Sequence, residues 1–386
     1  MQEKGLLQKT VLKELQSRLQ EDLTYNSGKI LGSMCNEPHI YAKRVHVRCL
    51  EKNLGDPGLF PATAKLEQEA IRMLGSLLSN PKACGHIVSG GTEANILAMW
   101  AARNLNKKHN EVIVPVSAHV SFDKAADLLN LKLIKVALND LFQIDVTAAE
   151  DAITSKTTAI VGIAGTTELG VVDPITELSE IAVDHDIYLH VDAAFGGFVL
   201  PFLEEIGLDA PEFDFGLLGV RSITMDPHKM GLAPIPAGGI LFQDEATMKH
   251  VGKRVPYLAG GETEQTTLLG TRSGASAVTV WALLKHLGRN GYKTVVKRCM
   301  KLTKKLAEGV QRINEVSLVT QPTINIVGIK SDVVEIQLIA RELRKKGWAI
   351  SLFPNHVRIV VMPHVKLLHI ENFLNDLEII VEKLNG

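Results

Sequence analysis

Lys229 stands in the hexapeptide DPHKMG (226–231), at the end of an apolar run that reads as a buried strand and just before a proline-containing loop. A lysine so placed can lose some preference for its charged form and serve as a Schiff-base nucleophile; an ordinary loop lysine is simply solvated. Three other stretches bear on which applies. In HIVSGGTEAN, Ser89, Gly90, Gly91 and Thr92 lie between a short strand and a helix. Two glycines let backbone approach a ligand, and free N–H groups at a helix start favour a phosphate, although Gly-Gly-Thr also makes a plain capped turn. In IYLHVDAAFGG, Asp192 ends an apolar strand among small residues, where a carboxylate is costly unless it meets a cation or caps a helix. His190 nearby suggests a metal, but no third ligand has the right spacing, so none is expected. In SAHVSFDK, His119 follows the strand EVIVPV, either as a structural hydrogen-bonder or as a flat ring stacked on a planar ligand. A phosphate cradle, a stacking ring, a buried carboxylate and a lysine are together the parts that pyridoxal 5′-phosphate requires. The carboxylate would keep the pyridine nitrogen protonated, so that the ring withdraws electrons from the substrate.

Strands and helices must bring these four stretches together. From about residue 85, β-branched runs alternate with helical ones: HIV, EVIVPV and TTAIVGIA each precede a helix, and IYLHVDAA, SITMD and GGILFQ follow. Such alternation implies an α/β fold with a mostly parallel sheet, whose ligands gather at the carboxyl ends of its strands. After Gly291 a basic amphipathic helix, the strand TINIVGI, a helix ending at Gly347, two strands joined at Pro354-Asn355 and a last helix make a small C-terminal α/β domain. The expected organisation is an N-terminal helical arm (1–50), a large domain (51–288) and a small domain (289–386). Leu7, Val11, Leu15, Leu19 and Leu23 form a stripe on the arm, to be buried on its own domain or on a second subunit.

The composition narrows the function. Lys plus Arg total 42 against 43 Asp plus Glu, which gives no electrostatic footprint for nucleic acid or an anionic membrane. No run is long enough to span a membrane, and the four cysteines form no C-x-x-C pair, so a reducing cytoplasm is the expected location.

In order and spacing, SGGTEAN, the histidine of SAHVSF, HVDAAFGG and DPHKMG resemble motifs of the fold-type-I, aspartate-aminotransferase-like PLP enzymes, and among them the group II amino-acid decarboxylases. NLGDPGLF, GIAGTTELG, PIPAGGILF, LGTRSG and RIVVMPH extend the similarity over essentially the whole chain. The resemblance implies that Lys229 carries the cofactor, Asp192 meets its pyridine nitrogen and His119 stacks on its ring. Ser89, Gly90, Gly91 and Thr92 would hold the phosphate with His228 beside it, Thr166 and Ala194 would approach the ring, and Arg358 would hold the substrate carboxylate. It implies a homodimer with active sites at the subunit interface. Thr271, Arg272 and Ser273 either cap a turn or reach a neighbour's phosphate. The implied reaction is decarboxylation of L-tyrosine to tyramine, for methanofuran, or of L-aspartate to β-alanine, for coenzyme A, or both. Arg44, Arg48 or Arg272 would serve an acidic side chain; Tyr41, Leu59 or Phe60 would line an aromatic slot. Lys229, His119 or Tyr257 would return the proton. The alternative is another fold-type-I lyase, similar to the sphingosine-phosphate-type aldehyde lyases that share the HK motif. A non-catalytic nucleotide module would need a full G-x-G-x-x-G, which is missing.

Overall fold

The alternation of short apolar runs with helices produces one central sheet in the computed structural model, which describes residues 1–386. Its strands are β1 (Cys84–Val88), β2 (Glu111–Pro115), β3 (Lys132–Val136), β4 (Thr157–Ile163), β5 (Tyr188–Asp192), β6 (Val220–Met225) and β7 (Gly238–Phe242), in the order β1-β7-β6-β5-β4-β2-β3. All run parallel except β7, which lies antiparallel to both β1 and β6. β2, β4 and β5 are buried along their whole length, which is why they read as unbroken apolar runs. β3 is not legible as a strand in the sequence: it is an edge strand whose Lys132 and Lys135 are exposed, and these charges guard the open edge and disguise the strand.

Helices α1 (Gln8–Leu19), α2 (Ile40–Arg48) and α3 (Pro61–Leu77) precede the sheet, and α4 (Gly91–Leu105), α5 (Ser121–Leu129), α6 (Val146–Asp151), α7 (Ile175–Asp184) and α8 (Glu245–Lys249) punctuate it. A hairpin of β8 (Lys253–Val255) and β9 (Thr263–Gln265) leads to α9 (Gly274–Val310), which is interrupted at Gly288, where φ is 56° and ψ is −174°. Only glycine adopts that conformation readily, so the chain can bend there. Beyond it, β10 (Ser317–Leu318), β11 (Ile326–Lys330), β12 (Ser351–Leu352) and β13 (Val357–Val360) form an antiparallel sheet ordered β10-β11-β13-β12. With α10 (Ile336–Lys345), α11 (Leu367–Asn385) and the last turns of α9 it encloses a second core containing Leu306, Ile339, Trp348, Ile359 and Phe373.

Residues 1–50 do not behave as one arm. Leu31 is fully buried in the second core, with its N–H bonded to the Ala349 carbonyl, while Ala42 belongs to the core of the large domain. α1, by contrast, has no buried residue; Leu7, Leu15 and Leu23 are 68%, 48% and 58% exposed, so the stripe does not pack on its own domain. No helix is long and apolar enough to cross a membrane.

Candidate active site

The carboxyl ends of β1, β4, β5 and β6 meet the N-terminus of α4 around a cavity of about 390 Å³. Ser89, Gly90, Gly91 and Thr92 form one wall, and His119, Asp192, Ala194, His228 and Lys229 complete it. α4 begins at Gly91 behind a Gly90 N-cap, and no side chain caps its first N–H groups, which leaves an anion-binding helix start at the cavity. Two devices hold this loop. Glu93 Oε2 accepts the Ser89 N–H at 2.8 Å, and Gly238 packs so closely that a Cβ there would lie 2.4 Å from Gly90 Cα.

Asp226 approaches Lys229 from the end of β6. Its Oδ2 lies 3.1 Å from Lys229 Nζ and 3.6 Å from His228 Nε2, while Oδ1 is buried with no partner. Burial pushes the lysine down, but the carboxylates of Asp226 and Asp192 outweigh it and hold the ammonium above its ordinary value. The sequence led us to expect the opposite shift; Asp226, quoted in the same motif but given no role, is the reason. His228 accepts the Ala237 N–H on Nδ1 at 3.2 Å, which leaves its proton on Nε2, and burial pushes its pKa down.

Asp192 is 6% exposed. Its Oδ1 accepts the Ala194 N–H at 3.0 Å and its Oδ2 accepts from Asn95 Nδ2 at 2.8 Å. Asn95 also donates to Ser121 Oγ, which stands 3.0 Å from His119 Nδ1. His190 is fully buried behind them, 3.0 Å from Asn95 Oδ1, so it is a structural histidine and no metal-ligand cluster surrounds it. Asp192 and Lys229 face one cavity as an acceptor and an amine, with an uncapped helix start on the same wall. These groups fit pyridoxal 5′-phosphate, whose pyridine nitrogen, aldehyde and phosphate need those three partners.

Residues 50–331 match the pyridoxal-dependent decarboxylase conserved domain. The chain belongs to that family. It is 51% identical to the L-aspartate decarboxylase of Thermococcus kodakarensis over 383 residues, 99% of each chain. It is likewise 51% identical, over 92% of this chain and 98% of the other, to the probable L-tyrosine/L-aspartate decarboxylase of Methanothermobacter thermautotrophicus. Among solved structures, the sphingosine-1-phosphate lyase of Burkholderia pseudomallei superposes with a TM-score of 0.93 at 29% identity, covering 100% of this chain and 93% of that one. The fold is therefore fold type I, the enzyme is a carboxy-lyase and pyridoxal 5′-phosphate is its cofactor.

Other expected residues of the decarboxylase fall elsewhere. Thr166 is not on the cavity wall: its hydroxyl accepts the Val171 N–H at 3.1 Å within a turn, and the neighbouring Gly165 and Thr167 reach the cavity instead. Arg358 lies just behind that wall, with Nη1 donating to the Thr167 carbonyl at 2.6 Å. Arg272 is locked in a two-pronged pair with buried Glu67, at 2.6 and 2.9 Å, so it is not free for a substrate. Arg44, Arg48, Tyr41 and Leu59 are exposed; like the half-buried Phe60, none lines the cavity of this chain. Tyr257 is 83% exposed in the β8–β9 loop. Met34 lines the cavity from a segment that carried no motif, and Asn36 Nδ2 from the same segment donates to the Lys229 carbonyl. A larger cavity of about 780 Å³ lies at the opposite ends of the strands beside His109, His185 and Arg221, and none of these groups faces it.

Proposed function

We propose that the enzyme decarboxylates L-aspartate to β-alanine, with L-tyrosine the poorer substrate. Arg358 carries this reading. It is 6% exposed and has no carboxylate partner; besides Thr167 it donates to the Gly32 carbonyl at 2.7 Å and Ser351 Oγ at 2.8 Å, and its Nε is unpaired. Burial pushes its pKa down to about 10 against the opposing pull of Glu168, so it remains a cation at neutral pH. Decarboxylation drains charge from the leaving carboxylate, and a cation gripping that group would stabilise the ground state more than the transition state. The guanidinium therefore suits the carboxylate that stays. Aspartate keeps one; tyrosine has none. The names of the Thermococcus and Methanothermobacter relatives support the two substrates. Of the two routes that the resemblance implies, this reading favours β-alanine for coenzyme A over tyramine for methanofuran.

The bound cofactor supplies an electron sink for the pair left by departing carbon dioxide. Lys229 Nζ, at the cavity wall beside Asp226, would hold the cofactor's aldehyde end. Asp192 would meet the ring nitrogen, His119 would lie against the ring, and the N–H groups of Gly91 and Thr92, with Ser89, Gly90 and His228 beside them, would hold the phosphate. Lys229, kept as an ammonium by Asp226, returns a proton to the α-carbon.

A homodimer completes this reading. The chain exposes 18546 Å² of surface, where a monomer of its mass would expose about 15,000 Å², and the uncovered stripe of α1 contributes to the excess. A second copy of the chain covers it. Sedimentation of the intact protein against a variant lacking residues 1–22 tests this: a dimer that dissociates on truncation supports the arm, and an intact monomer overturns it.

The substrate test is product analysis of the cofactor-loaded enzyme, given L-aspartate and L-tyrosine separately and in competition. β-Alanine as main product is expected. Tyramine as main product removes Arg358 from substrate choice, and turnover of L-glutamate alone overturns both substrates. Aldehyde and phosphoethanolamine from a phosphorylated long-chain base would mark the enzyme as an aldehyde lyase.

A further inference from the structure

We propose that Asn95 is a positioning residue that holds Asp192 as the acceptor for the cofactor's ring nitrogen and, through Ser121 Oγ, supports the hydrogen bond that orients His119. The inference rests on the roles given to Asp192 and His119 above. Asn95, on the second turn of α4, is 1% exposed and has all its side-chain partners within the protein. Nδ2 donates to Asp192 Oδ2 at 2.8 Å and to Ser121 Oγ at 2.9 Å; Oδ1 accepts from Thr224 Oγ1 at 2.7 Å and from His190 Nε2 at 3.0 Å.

The orientation of this amide follows from its partners. Turned over, it would set its own oxygen against the Asp192 carboxylate, two acceptors with no proton between them. With Oδ1 facing His190 at 3.0 Å, the proton is assigned to Nε2, so Nδ1 accepts from the Ser222 hydroxyl at 2.8 Å, the shorter of its two Ser222 contacts, with the Ser222 carbonyl at 3.2 Å. Burial pushes His190 down to about 4, which keeps the ring neutral and this assignment unchanged at working pH. Thr224 and His190 thus lock the amide from behind while its NH₂ group serves the cavity.

One N–H of that group secures Asp192. The other fills an acceptor position of Ser121 Oγ, whose proton is then free for His119 Nδ1 at 3.0 Å. The Ser121 backbone N–H points at the same nitrogen at 3.2 Å. Nδ1 is therefore an acceptor, and the proton of His119 resides on Nε2. A single side chain far from the lysine motif links the group that meets the ring nitrogen to the group that lies on the ring.

Without the amide, Asp192 keeps only the Ala194 N–H as a donor. Its charge is then less well satisfied, so it draws the ring-nitrogen proton toward itself and the ring becomes less positive. A Schiff-base nitrogen on a less positive ring is easier to protonate, and its titration midpoint moves up. One charge-assisted hydrogen bond corresponds to a shift of about one pH unit. The other titratable groups facing Lys229 and Asp192, namely Asp226, His228, His119, Cys35 and His190, are common to all variants compared.

The experiment is a pH titration of the visible absorbance of the pyridoxal-phosphate-loaded protein, with cofactor affinity measured alongside. Asn95→Ala is expected to raise the midpoint by about one unit. Thr224→Val, which keeps the shape but removes one lock, should shift it less in the same direction, and decides the matter if Asn95→Ala does not fold. Ser121→Ala cuts only the arm to His119, so kcat should fall while the midpoint stays. A wild-type protein with no visible band refutes the roles of Lys229 and Asp192 themselves. A normal wild-type band with unchanged midpoints in the Asn95 and Thr224 variants overturns the present inference alone, as does a Ser121→Ala shift as large as that of Asn95→Ala.

Discussion

Replacing Arg358 by methionine separates substrate choice from catalysis. The guanidinium already spends three of its five donors on Thr167, Gly32 and Ser351, and the unpaired Nε–H together with one Nη1 N–H is what it would offer a substrate carboxylate. Two charge-assisted hydrogen bonds, at about 1.5 to 3 kcal/mol each, should disappear with it. At 1.36 kcal/mol per tenfold, kcat/KM for L-aspartate falls roughly a hundredfold at the least. L-Tyrosine, with no retained carboxylate, should lose less than about tenfold, because only shape near Thr167 changes. The fold should survive. Removing a buried cation that has no carboxylate partner relieves desolvation, against about 1 to 3 kcal/mol for each carbonyl left without its donor. Circular-dichroism melting should therefore show a Tm lower by only a few degrees. The assay is steady-state amine production from each amino acid by wild type and Arg358→Met under identical cofactor saturation. Equal losses on both substrates would refute the reasoning, since Arg358 would then hold the α-carboxylate that the two share.

Three further outcomes are expected. Arg272→Met strands Glu67 in the core and should cost about 3 to 5 kcal/mol, read as a lower urea midpoint; burial alone would push Glu67 up, but Arg272 and His86 hold it at about 2 against the usual 4.5. Because the folded value is the lower one, this pair's contribution of about 3 kcal/mol is complete above pH 4.5 and fades as pH falls through about 2, a dependence that Arg272→Met should lack. Gly238→Ala places a Cβ against the Gly90 backbone, which must shift, so it should weaken pyridoxal-phosphate binding, followed by fluorescence titration, and also lower the melting temperature, an overpacking cost of about 1 to 3 kcal/mol. Asp226→Asn removes one of the two carboxylates that keep Lys229 charged and leaves burial opposed by Asp192 alone, so labelling of Lys229 in the cofactor-free protein by acetic anhydride at mildly alkaline pH, quantified by mass spectrometry, should increase; unchanged labelling would deny Asp226 that hold.

The residues legible from sequence are those whose meaning is local. A glycine pair before a helix, a carboxylate closing an apolar strand and a lysine just past another strand each report on their own few residues, and a parallel sheet gathers its strand ends at one edge. The cavity accordingly contains Ser89, Gly90, Gly91, Thr92, Asp192 and Lys229 together. Strands buried on both faces were equally plain, whereas β3 was hidden because an edge strand carries charges.

The linear order of residues specifies an inventory: an α/β chain with a lysine, a carboxylate, a histidine and an anion cradle at the ends of successive strands. Folding assigns the neighbour to which each side chain answers. Lys229 is held charged by Asp226, Arg272 is consumed by Glu67 some two hundred positions away, Thr166 turns inward while Thr167 reaches the cavity, and Asn95 joins Asp192 to His119. Motif spacing sets where a backbone runs, but protonation and hydrogen bonding depend on groups brought within about 3 Å from distant segments, and that proximity exists only in the folded chain.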